Sequence, residues 1–195
     1  VDVVPLSTNM PLGTARILID GQPPSVNPKA YTFTRPTTAQ DFWWPALIKV
    51  TAGKTPLLIE EWTLRLTEVS GKGEDLKFKY ELSGSRTGLE GSGDSDNMFV
   101  SSSGRIVINP KDFMLSVGSK KPYQAGFEIK WSVMPMFRDT YTAPRNVDPA
   151  KPGQTTLAQL IENGPHTLEI IPNGDGAVPI EAIRVFQPPG QLLKP

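Results

Sequence analysis

The chain has no cysteine and one histidine among its 195 residues. The first absence excludes disulfide frameworks, thiolate zinc sites and cysteine nucleophiles. The second leaves His166 as the only imidazole for any triad, dyad or metal site. No apolar run approaches the ~18 residues of a membrane-spanning helix, and Val1 opens no signal-peptide pattern. Twenty basic side chains balance twenty acidic ones. Neither sign forms a run longer than Lys120-Lys121, so the electrostatic footprint expected for nucleic acid or an anionic membrane is missing. No convincing amphipathic helix longer than two turns emerges either.

What is abundant is punctuation: 20 prolines and 17 glycines, placed mostly between apolar stretches, as in an all-β chain. Phe127 to Val133 alternates apolar and polar residues, the period of a strand with one buried face, and Pro135 ends it or puts it on an edge. Leu76 to Leu82 and Trp62 to Thr67 alternate in the same way, and Ser70-Gly71-Lys72-Gly73 between them predicts a hairpin. Shorter strands are expected at Ala15 to Ile19 (closed by the Asp20-Gly21 turn), Ala46 to Thr51, Arg105 to Ile108 and Phe113 to Val117. Two more flank the Pro172-Asn173-Gly174-Asp175-Gly176 turn and precede a proline-rich tail. Thr155 to Ile161 reads as a helical turn or a short strand. The expectation is a single domain over 1–195, an antiparallel β-sandwich or jelly roll of about nine strands. Its long irregular loops are Gln22 to Asp41, Ser83 to Gly104 and Arg138 to Gly153.

The functional candidates lie in and beside those loops. Trp62 and Trp131 hold inward phases of strong strands and are expected in the core. Trp43 and Trp44 are adjacent, so on an extended chain they point to opposite sides and one can stay available. With Tyr31 and Tyr141 they are the candidate ligand-binding residues, because aromatic faces recognise sugars through pyranose C–H groups. Asp94, Asp96 and Asn97 offer oxygen ligands for a structural calcium, although the spacing fails as an EF-hand, and an Asx-turn cluster is the alternative. His166 follows Gly164-Pro165 and is expected to hydrogen-bond a neighbouring turn rather than serve a triad. No G-x-S-x-G elbow is present. Glu60, Glu61, Glu128, Asp94 and Asp96 supply raw material for a glycosidase pair, but the strong strands carry mixed Lys/Glu on their polar faces.

Three segments carry a resemblance: ARILIDGQPP (Ala15 to Pro24), SGSRTGLEGSGDSDNMFVSSSGR (Ser83 to Arg105), and Gly164 to Phe186. The last matches the pattern G-x-H-x-L-x-I … I-x-x-I-x-V at Gly164, His166, Leu168, Ile170, Ile180, Ile183 and Val185. The chain thereby resembles the non-catalytic, galactose-binding-like jelly-roll modules found with bacterial SGNH/GDSL-type hydrolases and other carbohydrate-active proteins. The resemblance implies an extracellular or periplasmic module whose partner is carbohydrate or a catalytic domain. The hydrolase's own nucleophile block is missing; Gly93-Asp94-Ser95 spells it but follows no parallel strand. Tyr123-Gln124-Ala125-Gly126-Phe127 is similar to a strand motif of jelly-roll alginate lyases, whose other motifs are absent. The expected function is carbohydrate binding or an accessory role without catalysis. The alternatives are a structural or protein-interaction sandwich and a polysaccharide hydrolase or lyase.

Overall fold

Alternating apolar residues become strands wherever a partner can take up their backbone groups. The computed structural model describes residues 1–116 and 121–186. Val117, Lys120 and the tail from 187 onward therefore lie outside the described residues. In chain order the strands are β1 (Asp2–Pro5), β2 (Thr14–Ile19), β3 (Tyr31–Phe33), β4 (Thr51–Ala52), β5 (Glu61–Ser70), β6 (Lys77–Gly84) and β7 (Gly88–Asp94). There follow β8 (Phe99–Val100), β9 (Ile106–Ile108), β10 (Glu128–Pro135), β11 (Thr140–Thr142), β12 (Thr155–Thr156), β13 (Leu168–Pro172) and β14 (Ile180–Arg184). Among the described residues the fold is all-β, with these strands in four antiparallel sheets and three one-turn 3-10 segments. No described helix is long and apolar enough to cross a membrane.

The chain gathers into two compact units, the first made of residues 1–31 and 135–195, the second of residues 32–134. In the first, the sheets run β12-β1-β14 and β11-β2-β13. Val3, Ile17, Tyr141, Ala143 and Leu157 from the two sheets and their flanks bury together, with Leu168, Ile170 and Ile180 packed against them. The strands flanking the Asn-Gly-Asp-Gly turn do not pair as a hairpin. β13 pairs with β2 and β14 with β1, so the turn is an arch crossing from one sheet to the other. The segment before β2 holds it there. Asp175 accepts from the Thr14 N–H at 2.8 Å and the Thr14 hydroxyl at 2.7 Å, while Gly13 N donates to Ala177 O. The approach is so close that a Cβ on Gly13 would stand 2.6 Å from Asp175 Oδ1 and from Gly176 N.

In the second unit the sheets run β3-β10-β5-β6-β7 and β4-β9-β8. The hairpin expected around Gly71 is present, with Leu64 opposite Leu82 and Leu66 opposite Tyr80. Trp62 and Trp131 face each other across β5 and β10, both buried. Tyr80 joins the sheets by an edge-on contact with Phe99 at 5.6 Å. The glycine-rich stretch expected as loop is largely strand β7. Gly93 lies opposite Tyr80, where a Cβ would come within 2.6 Å of the phenol. A register shift leaves Glu90 as the extra residue of a bulge, turned into the interior. The expected strands at Ala46 to Thr51 and from Phe113 shrink to a bridge between Leu47 and Phe113 plus β4. The segment expected as an irregular loop at Arg138 to Gly153 includes β11, with Tyr141 in the core.

The arch generates a stability prediction. Gly13→Ala forces the Asn-Gly-Asp-Gly turn away and lowers stability by on the order of 2 kcal/mol. Gly164→Ala, at a position with nothing within 4 Å of the new methyl, leaves the urea midpoint unchanged.

Candidate functional site

The aromatic segment lies in the second unit and is a turn rather than an extended run. Thr38 bridges Pro45, Ala39 N donates to Trp44 O at 2.8 Å, and Phe42 N to Ala39 O at 3.2 Å. Asp41 takes the left-handed conformation the reversal requires, with φ 63°, which Asp tolerates better than most residues. Because the backbone reverses, the adjacent tryptophans do not point to opposite sides: their ring centroids are 5.8 Å apart. Phe42 stacks flat on Trp44, 4.4 Å away and 5° from parallel. Trp44 is half-buried, whereas Trp43 leaves 78% of its surface in water. Of the four tryptophans, Trp62 and Trp131 are core, so Trp43 alone presents a free indole face.

This turn is anchored at three points. Gln40 N donates to the Tyr123 hydroxyl at 2.8 Å, and Lys130 N donates to Thr37 Oγ1 at 2.8 Å. The Arg35 guanidinium donates to the Trp43 carbonyl. Tyr123 is buried and packs edge-on against Phe127 at 4.9 Å; burial raises its phenol pKa. Gln40 also borders a cleft of about 450 Å³ lined by Lys121, Pro122, Gln124, Ala125 and Phe127. Gln40 and Tyr123 were not legible as site residues. The nearest signal is the polar Gln40-Asp41 pair before the aromatic run.

The other two aromatic candidates belong to the first unit. Tyr31 donates its hydroxyl to Ser25 O at 3.1 Å and sets its ring edge-on to Phe137 at 5.2 Å. Tyr141 is fully buried, and its ring presents no face to solvent.

Asp94, Asp96 and Asn97 form a turn at the end of β7. Asp94 Oδ1 accepts from the N–H groups of Asp96 and Asn97, each at 2.8 Å, and the Asn97 amide donates to both Asp94 oxygens. Asp96 pairs with Lys77. A carboxylate surrounded by N–H donors is arranged as an acceptor for its own turn, and that arrangement does not fit a cation. Among the described residues no three His, Cys, Asp or Glu side chains gather as a metal group. The Asn97 amide first, then the two backbone N–H groups, hold the Asp94 carboxyl below the usual range.

The buried carboxylates do similar work. Glu60 Oε2 accepts from Arg86 N, Thr87 N and Thr87 Oγ1 at 3.0–3.2 Å, and Glu90 Oε2 from Ser103 N at 2.7 Å. Burial opposes ionisation of Glu90, but the Ser103 N–H and the Ser103, Thr87 and Ser101 hydroxyls outweigh it and lower the pKa. In the first unit His166 lines a cleft of about 310 Å³ with Asp20, Lys29 and Glu162. Both its ring nitrogens are engaged, Nδ1 with Asp20 and Nε2 with the Glu162 carbonyl. The cleft lining contains no serine, threonine or tyrosine hydroxyl.

No protein-family model, curated protein or solved structure matches the chain.

Two outcomes follow from this geometry. Tyr123→Phe removes the acceptor for Gln40 N, costs about 1 kcal/mol, and speeds hydrogen exchange at the Gln40 amide more than elsewhere in the second unit. Asp94, Asp175 and Glu90 all ionise more readily folded than their ordinary values of 3.8, 3.8 and 4.5. Their contribution is complete above those values and disappears as pH falls through the lowered folded ones. Urea midpoints taken down to about pH 2 fall accordingly, and less steeply for Asp175→Asn.

Proposed function

We propose that the chain is a carbohydrate-binding or accessory module of an extracytoplasmic carbohydrate-active system, without catalysis of its own. Trp43 carries the reading. Leaving an aromatic of this size in water forgoes roughly 2 kcal/mol of burial, yet the turn beneath it is built from a stacked Phe42–Trp44 pair and three anchors. A rigid aromatic plane meets the apolar C–H face of a pyranose at little entropic cost. The neighbouring cleft supplies the amides of Gln40 and Gln124 for hydroxyl groups. The balanced charge of the chain suits a neutral polysaccharide better than a polyanion.

Support also comes from the resemblance of the Gly164 to Phe186 pattern to modules of carbohydrate-active proteins. Both nitrogens of His166 are bonded in this structure, an arrangement that suits binding better than general-base hydrolysis.

Affinity electrophoresis through gels containing neutral polysaccharides tests the proposal. Retention is expected, and Trp43→Ala weakens it by about tenfold, or about 1.4 kcal/mol, with an unchanged unfolding midpoint. Absence of retention on every polysaccharide, or retention that Trp43→Ala leaves intact, overturns it.

A further inference from the structure

His166 sits where two segments of the first unit meet at the 310 Å³ cleft. One wall is residues 19–30 and the other residues 158–166. Asp20 follows β2 in the left-handed conformation, φ 52°, and is itself followed by Gly21 at φ 76°. Its Oδ1 accepts from Thr167 N at 2.8 Å, and its Oδ2 lies 2.7 Å from His166 Nδ1. His166 Nε2 lies 2.8 Å from the carbonyl oxygen of Glu162. Neither a carbonyl nor an ionised carboxylate can donate, so both bonds form together only if both ring nitrogens carry hydrogen. The geometry is therefore that of an imidazolium.

Three side chains supply the charge around the ring and its segment. Asp20 reaches it from the end of β2, Glu162 lies on the ring's own segment, and Lys29 crosses from the opposite wall to pair with Glu162. All are at least partly exposed, so screening keeps each attraction modest.

We propose that His166 is a proton-operated clasp that fastens the 159–166 wall of this cleft, closed as the imidazolium and released when the ring loses a proton. A neutral ring must turn one lone pair toward an acceptor. Keeping the Nδ1–H toward the Asp20 carboxylate is the less costly choice, so the bond from Nε2 to the Glu162 carbonyl is lost. The Glu162-Asn163-Gly164-Pro165-His166 turn then loses its closing bond.

The side-chain bond to Asp20 first, then the Glu162 carbonyl, raises the His166 pKa above its ordinary 6.5. His166 and the Thr167 N–H hold Asp20 below 3.8. A raised histidine pKa gives stabilisation that is complete below the unfolded value and lost as pH rises through the folded one. The clasp is thus closed from mildly acidic pH up to the raised value and open above it.

Because the chain has one histidine, its ring resonances in 15N-labelled protein give an unambiguous titration. The expected result is a ring midpoint above 6.5 that coincides with the midpoint of amide shifts in 159–167. Asp20→Asn lowers the ring and amide midpoints together. His166→Gln, which cannot carry the charge, holds the amide shifts of 159–167 near their high-pH values at every pH. A ring midpoint at or below 6.5 overturns the proposal. So do amide shifts in 159–167 that stay constant through the ring's titration, or separation of the two midpoints in Asp20→Asn.

Discussion

Backbone N–H groups that no strand can pair are the constraint on which this structure depends. A chain of many short strands leaves such groups at every turn, and each must find an acceptor. Its carboxylates supply them. Asp20 takes the N–H of Thr167, Asp94 those of Asp96 and Asn97, Asp139 that of Ser25, Asp148 that of Ala150 and Asp175 that of Thr14. Glu60 and Glu90 do the same from the interior. Asp94 and Glu60, which read as a possible metal ligand and a possible glycosidase carboxylate, are thus occupied as turn acceptors, while Asp96 and Glu128 pair with lysines. Trp43 is the large side chain at the aromatic turn that the fold leaves in water, and that contrast is why ligand binding is proposed there.

The period-2 strands were legible because a buried face imposes alternation directly: Trp62, Leu64 and Leu66 point inward while Glu61 and Arg65 do not. Strand β7 was not, since its glycines and serines carry no alternating signal. It is specified by its partner, with Tyr80 occupying the space that a side chain at Gly93 would need. The division into two units was also hidden. The chain passes between them within β3 and again within β10, so no proline- or glycine-rich linker marks either crossing.

The arch at 172–176 shows the same limit at longer range. Its turn chemistry was evident, but a turn alone does not say whether its flanking strands pair with each other. Here the close approach of Gly13 and the bonds from Thr14 to Asp175 draw β13 and β14 onto different sheets. At the candidate site, the aromatic run was legible and its exposure was not. Trp43 is available because Asp41 reverses the backbone and Phe42 covers Trp44. Tyr141 carried a missed signal, since Thr140-Tyr141-Thr142 is itself polar–apolar–polar, a short strand with its tyrosine inward.

The central claim is that the carboxylates serve the fold and the free indole serves the ligand. A crystal structure of the chain with an oligosaccharide drawn from a polysaccharide that retains it tests both halves at once. The account predicts a pyranose ring lying flat on Trp43, with Asp94, Asp175, Glu60 and Glu90 still bonded to their turns. A sugar held by those carboxylates, or seated away from Trp43, would contradict it.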